Sequence, residues 1–95
     1  MIKHIVFFKL KDRSEESVAA TVAVLRNMEG RIPQLLSIEV GADIIHSDRS
    51  FDIALVTEVA TLEDLQAYQV HPAHQEVIAH INEVKELSIA VDYEI

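Results

Sequence analysis

Residues 2–11 carry the sequence IKHIVFFKLK, which predicts a β-strand that is apolar at the centre of both faces. Side chains of a strand alternate between its two sides. One side therefore presents His4, Val6, Phe8 and Leu10, and the other presents Lys3, Ile5, Phe7 and Lys9. Such a strand is typical of the middle of a sheet that is covered on both faces. The rest of the fold has to supply the two covers.

The elements that follow predict an α+β fold. A helix is expected from Ser14, a suitable N-cap, to Gly30, a preferred residue just past a helix end. Three further strands alternate apolar and polar residues, and they are expected at about 36–40, 51–59 and 87–95. A second helical region begins at Thr61 and is split at Pro72. The order βαββαβ indicates a ferredoxin-like antiparallel sheet with helices on one face. Nothing suggests a boundary within residues 1–95, so one domain is expected.

The second face of the sheet has no cover within the chain. It would present the apolar side chains Ile5, Phe7, Ala54 and Val56 to water. Burial of apolar surface is worth roughly 25 cal/mol per Å². A chain of 95 residues is also too short to cover much of its apolar surface alone. We therefore expect a homodimer in which the sheets of two copies pack face to face as a barrel.

Composition and charge limit the classes of function. The formal charge is −8, and a nucleic-acid partner is not expected because binding one requires cations. No stretch approaches the roughly 20 apolar residues of a membrane span, and no secretory signal is evident, so a cytoplasmic location is expected. The chain has no cysteine, which excludes disulfides and thiolate chemistry. A neutral or apolar small molecule is the more fitting partner.

Residues 68–74, with the sequence YQVHPAH, bring a phenol, two imidazoles and a proline together. Pro72 suits the first position of a helix, so His71 is expected at the cap and His74 one turn inside. At 100° per residue, His74 falls near the middle of the apolar stripe of that helix. We therefore expect the His74 ring to point into the subunit.

Ordinary structural roles remain open for these side chains. His74 can be a core histidine whose ring nitrogens bond to the backbone or to another side chain. Tyr68 is expected at the edge of an apolar stripe, with Leu62 and Leu65 pointing inward. His4 can be a strand-end residue that bonds to one of the other rings.

A metal site is the obvious rival interpretation of the histidines. His71 and His74 are three residues apart, and His4 can approach them from the sheet. Zinc sites usually add a carboxylate or a thiolate, and none lies at ligand spacing in this stretch. No metal is expected, and helix capping is the simplest role for His71.

The sequence resembles the stress-responsive A/B-barrel proteins, also called the Dabb or dimeric α/β-barrel family. The resemblance covers the whole chain and is carried by residues 2–11, Ile32-Pro33, residues 68–74 and Val91-Asp92-Tyr93. It implies a ferredoxin-like subunit and a face-to-face dimer.

One member of that family, plant olivetolic acid cyclase, is distantly similar to this chain. The similarity implies that His74 corresponds to a catalytic base, Tyr68 to a catalytic hydroxyl donor and His4 to a pocket residue. An aldol ring closure needs a base for a proton next to a carbonyl and a donor for the resulting oxyanion. No cofactor is implied.

The departures from the cyclase argue against the same substrate. Thr21, Val22 and Leu25 stand where the cyclase has bulky aromatic residues, and Lys85 stands where it has a tryptophan. The three polar rings can thus be retained without the cavity that accepts an alkyl-resorcinol precursor.

The function expected is a dimeric protein of this family that binds a small apolar or aromatic ligand between helices and sheet. The alternatives are a cofactor-free, cyclase-like lyase and a structural dimer without catalysis. A haem-degrading monooxygenase is disfavoured by the absence of Trp and by the different motif. The expected site residues are His74 and Tyr68 as catalytic groups, with His4, Val6, Phe8, Val22, Leu25, Leu55 and His71 lining the pocket. A solvent-reached void at His4, Tyr68 and His74 would favour the first two functions, and a filled interior the third.

Overall fold

A computed structural model describes all of residues 1–95. Its elements are β1 (Ile2–Leu10), α1 (Glu15–Arg26), β2 (Ser37–Ala42), β3 (Ile53–Val59), α2 (Leu62–Val70), α3 (Pro72–Val84) and β4 (Lys85–Glu94). The strands form one antiparallel sheet in the order β2-β3-β1-β4. This confirms the predicted α+β, ferredoxin-like βαββαβ arrangement, with the last helical region broken at Pro72.

The strand β1 lies in the interior of the sheet, as its two apolar faces predict. It pairs with β3 on one side and with β4 on the other. His4, Phe8 and Leu10 point toward the helices and are buried, whereas Phe7 on the opposite face is 40% exposed. The main core is therefore on one face of the sheet, between the strands and the helices.

Side chains cap the starts of all three helices. The hydroxyl of Ser14 accepts a hydrogen bond from the N–H of Ser17 at 3.2 Å. The hydroxyl of Thr61 accepts one from Asp64 at 3.1 Å. At α3, Nδ1 of His71 accepts the N–H of Ala73 at 3.1 Å. These bonds confirm the predicted helix starts, because each satisfies a first-turn N–H that has no partner within its helix.

The end of α1 differs from the prediction. The helix ends at Arg26 rather than running to Gly30. The chain continues through turns, in which Gly30 has a φ of +78°. Met28 is fully buried even though it lies in these turns. The apolar spacing therefore identified a core residue but not the helix boundary, because turns can bury a side chain as well as a helix does.

The rotation of α2 and α3 about their axes also corrects three predicted positions. Leu62 was expected inward but is 60% exposed, and Tyr68 was expected at an edge but is fully buried. On α3 the buried ridge is Ala73, Val77 and Ile81. His74 lies beside that ridge and is half-buried, not central. Ala73 is 2% exposed, so it belongs to the buried side of α3, which the apolar spacing alone did not reveal.

The face of the sheet away from the helices, here called the open sheet face, has no cover in the subunit. It carries Ile5, Phe7, Ala54, Val56, Leu87, Ile89, Val91 and Tyr93. Phe7 and Ile89 are directly opposite each other across β1 and β4, and Ile89 is 47% exposed. Soluble proteins rarely leave so contiguous an apolar surface in water.

Candidate functional site

A cavity of about 230 Å³ lies between the helices and the sheet. The structure places seven of the nine expected site residues on its wall: His4, Val6, Phe8, Leu25, Leu55, Tyr68 and His74. Two lie elsewhere. Val22 lines a groove between α1 and the loop after β2, because α1 turns it away from the rings. His71 uses its imidazole to cap α3.

The cavity opens to solvent between α3 and the start of β4. Asn82 on its wall is exposed, and Ile78, Lys85 and Ser88 are half-exposed. Val6 faces the helices from the middle of β1, yet it too is only half-buried. The helices therefore do not close over this part of the sheet, and a small molecule can reach the wall.

His4 is buried at one end of the cavity and is held by the neighbouring strand. It stands opposite Asp92 in the β1–β4 register, and its Nδ1 is hydrogen-bonded to the Asp92 carboxylate. A carboxylate only accepts, so Nδ1 carries the hydrogen. In the neutral ring, Nε2 is left as an acceptor. Asp92 thus fixes both the tautomer and the orientation of His4.

Tyr68 reaches the same place from α2. Its ring centroid is 4.5 Å from that of His74 and 6.1 Å from that of His4, the latter in an edge-to-face arrangement. Its hydroxyl donates to Sδ of Met28 at 4.0 Å, and a thioether is a weak acceptor. Burial raises the pKa of Tyr68 to about 12. The phenol therefore stays protonated near neutral pH and can donate to a better acceptor.

The break between α2 and α3 orients His74. In an unbroken helix, the carbonyl of Gln69 would accept the N–H of residue 73. Here the N–H of Ala73 bonds to His71, so that carbonyl is free. It accepts from Nδ1 of His74 at 2.9 Å and from the side-chain amide of Gln75 at 2.9 Å.

That hydrogen bond also determines the protonation of the His74 ring. A carbonyl cannot donate, so Nδ1 carries the hydrogen and Nε2 of the neutral ring is unprotonated. Burial lowers the pKa of His74, the bond to Gln69 opposes this shift, and the nearby His4 ring adds to it. Near neutral pH, His74 is therefore a neutral base with a lone pair on Nε2.

Several wall residues were not among the site residues expected from the sequence. They are Met28, Val77, Ile78, Ile81, Asn82, Lys85 and Ser88. Asp92, the partner of His4, was visible only as part of a motif. Its role follows from the pairing of β1 with β4, and a correct register between these two strands would have been the signal that identified it.

Larger hollows elsewhere in the subunit are shallower. One of about 420 Å³ lies on the open sheet face beside Phe7 and Phe51. Another of about 720 Å³ lies between α1 and the loop that contains His46. Neither brings several polar rings together over an apolar wall, which is the usual character of a small-molecule site. No three His, Asp or Glu side chains are grouped so as to hold a metal ion.

The fold and the cavity define a ferredoxin-like α+β protein with three polar rings at the end of an apolar pocket. The model of the stress responsive A/B barrel domain (Dabb) matches residues 2–95, and the chain belongs to that family. None of its helices has the length and apolar character needed to cross a membrane.

Three relatives illustrate the similarity. An uncharacterised protein of Streptomyces coelicolor is 37% identical over 97 residues, covering 99% of each chain. A dimeric protein of unknown function and ferredoxin-like fold from Bacteroides fragilis is 30% identical, with a TM-score of 0.85 over 99% of this chain and 95% of that one. A dimeric ferredoxin-like protein of unknown function from Thermobifida fusca is 27% identical, with a TM-score of 0.88 over 99% of this chain and 90% of that one.

Proposed function

We propose that this Dabb protein is a homodimer that binds a small, mostly apolar or aromatic molecule in the cavity between its helices and its sheet. The observation that carries the proposal is the open cavity of about 230 Å³, with His4, Tyr68 and His74 on an otherwise largely apolar wall. Pockets for drug-sized ligands are roughly 300–1,000 Å³. The ligand is therefore small, on the scale of one aromatic ring with a short substituent.

The dimer is supported by the open sheet face and by the relatives. Leu87, Ile89, Val91 and Tyr93 of β4 are all between 44% and 53% exposed in the single subunit. The solved relatives from Bacteroides fragilis and Thermobifida fusca are described as dimeric. Packing two open sheet faces together would remove this apolar surface from water.

A thermal-shift screen of small aromatic acids, amides and ketones tests ligand binding. The wild type is compared with His74→Ala, with Val6→Phe, which fills the cavity from its half-buried wall, and with His80→Ala. His80 is on the same helix as His74 but does not line the cavity. Compounds that stabilise the wild type should stabilise His80→Ala equally, His74→Ala less and Val6→Phe least. Equal stabilisation of all four proteins would place binding elsewhere, and no stabilisation of the wild type would contradict the proposal.

Cofactor-free acid–base catalysis in the same cavity is a second candidate. It is favoured by the hydrogen bond from Nδ1 of His74 to Gln69, which leaves Nε2 as a base. That nitrogen would remove a proton from the carbon next to a ligand carbonyl, and the Tyr68 hydroxyl would donate to the oxyanion that forms. Such a proton transfer is the first half of a lyase or cyclase reaction.

Deuterium exchange separates catalysis from simple binding. Aryl ketones that bind in the screen are incubated in D₂O, and deuterium uptake at the carbon next to the carbonyl is followed by NMR. The wild type should accelerate uptake over buffer, His74→Gln should abolish the acceleration, and His80→Gln should retain it. If a bound ketone takes up deuterium no faster than it does in buffer, the protein binds such molecules without catalysing the proton transfer.

A further inference from the structure

We propose that Lys85, which a β-bulge directs to the mouth of the cavity, recognises an anionic group, so that the ligand is a small apolar carboxylic acid. This proposal rests on the proposed ligand-binding function and names the chemical class of the ligand. The acid would lie with its carboxylate at the cavity mouth and its apolar body toward the rings.

The β1–β4 register shows how Lys85 comes to face the cavity. Lys9 pairs with Leu87, but the next residue, Leu10, pairs with Lys85, so Glu86 is skipped. Side chains in a regular strand alternate, and Lys85 would then share the open sheet face with Leu87. Because of the extra residue, the Lys85 side chain instead points to the same face of the sheet as its partner Leu10, which is fully buried beneath the helices. Bulges commonly redirect a side chain in this way.

The charge of Lys85 is not used elsewhere in the subunit. None of the ion pairs of the protein includes it. The chain has a net charge of −8, which repels anions in general. A small anion can therefore bind well only where a cation is locally available, and Lys85 supplies one at an apolar pocket.

The neighbouring polar groups suit a carboxylate. Asn82 and Ser88 line the same cavity, and an amide N–H₂ and a hydroxyl both donate to carboxylate oxygens. Lys85 is the sole Lys or Arg on the cavity wall. One ammonium with two neutral donors matches a singly charged head group, whereas phosphate groups usually recruit several cations or a helix N-terminus.

The two ends of the cavity favour one orientation of such a ligand. The pair formed by His4 and Asp92 lies six positions along β1 from the pair formed by Leu10 and Lys85, a separation of roughly 20 Å along the strand. Asp92 repels an anionic group from its own end, and Lys85 attracts it to the other. The uncharged end of the ligand is thereby directed toward Tyr68 and His74.

Two probes of nearly identical shape, 4-ethylbenzoate and 4-ethylbenzamide, test this proposal by calorimetric titration at low salt. The wild type should bind the benzoate about tenfold more tightly than the benzamide, as one charge-assisted contact provides. Lys85→Met should lose this preference with the benzamide affinity unchanged. Lys85→Arg should keep it, and so should Lys11→Met, which makes the same charge change at an exposed residue off the cavity wall.

Each contrary result has a definite meaning. Equal wild-type affinity for the two probes, or a preference that persists in Lys85→Met, overturns the role of Lys85 and leaves ligand binding intact. Binding of neutral compounds from the screen without binding of either probe also overturns the carboxylic-acid class alone. Failure of every compound to bind the wild type overturns the proposed function and this inference together.

Discussion

The tautomer of His74 depends on the backbone carbonyl of Gln69. This carbonyl has no partner within α2 because the helix is broken at Pro72. Pro72 starts a new helix, His71 takes the N–H of Ala73, and Gln69 is left to accept from the His74 ring. The same local sequence therefore terminates one helix, starts the next and fixes a histidine tautomer. A continuous helix through this segment would leave Nδ1 of His74 without its acceptor.

The lowered pKa of His74 predicts a specific pH dependence of stability. Because burial holds the folded-state pKa below its ordinary value of 6.5, the unfolded chain takes up this proton first as the pH falls. The free energy of unfolding therefore decreases as the pH falls through the window from 6.5 down to the lower folded-state pKa. Urea unfolding at about pH 7.5 and about pH 5.5 should show a smaller loss in His74→Gln than in the wild type. His80→Gln is the matched control, and equal losses in all three proteins would contradict this origin.

Two substitutions of Tyr68 distinguish the stability that comes from packing of its ring from the stability that comes from its hydrogen bond. Tyr68→Phe keeps the fully buried ring and removes only a bond to a thioether, so it should cost about 1 kcal/mol of stability or less. Tyr68→Ala empties the site and should cost about 3–5 kcal/mol. Urea denaturation measures both. A large loss in Tyr68→Phe would mean that the hydroxyl has a stronger partner than Met28.

The residues that the sequence identified are placed by local patterns, whereas those that it did not identify are placed by contacts between distant parts of the chain. Strand alternation placed His4 on the inner face of the sheet, and helical spacing turned His74 inward. The family resemblance alone indicated that Tyr68 joins them. The positions of Asp92 beside His4 and of Lys85 on the cavity wall could be predicted only from the register of β1 with β4, including its bulge. Register depends on tertiary pairing between residues far apart in the chain, and a single sequence does not encode it locally.

At the scale of elements, helix starts were predictable and helix rotations were not. Ser14, Thr61 and His71 cap helices through bonds that are local in sequence. Which side of α2 is buried depends on what packs against it. Leu62 and Tyr68 are nearly two turns apart on a nine-residue helix, too short for its apolar pattern to define a face.

The cap at the α2–α3 junction should be worth a measurable amount of stability. His71→Ala leaves the N–H of Ala73 without a partner and should lower the free energy of unfolding by about 1 kcal/mol. His71→Asn supplies another side-chain acceptor and should recover most of the loss. Chemical denaturation of the three proteins at neutral pH gives the comparison. A free energy of unfolding that is the same in His71→Ala as in the wild type would show that the junction does not depend on the cap.

At the scale of the whole molecule, the open sheet face leaves β1 covered on one side only. Ile5 pairs with Val91, and Phe7 with Ile89, so apolar side chains are continuous across the two strands. The same alternation in residues 2–11 places the cavity on one face and the proposed dimer interface on the other. Ligand binding and assembly are thus assigned to opposite faces of one strand.

A charge at the centre of the open sheet face should separate the subunits. Ile89→Glu would bury a carboxylate opposite Phe7 in the dimer, and it should weaken association at least about a hundredfold. Leu62→Glu, at a 60% exposed position on α2, is the control and should leave assembly unchanged. Sedimentation velocity at micromolar concentration measures the effect. A wild type that sediments as a monomer would contradict the face-to-face dimer.

The imidazole signals of the five histidines give the most direct test of where the ligand binds. Long-range ¹H–¹⁵N spectra are recorded while the wild type is titrated with 4-ethylbenzoate or, if a neutral compound binds more tightly, with that compound. Binding in the proposed cavity should shift the ring nitrogens of His4 and His74 and leave those of His46 and His80 in place. Saturable binding that leaves the ring-nitrogen signals of His4 and His74 unchanged would contradict binding in this cavity.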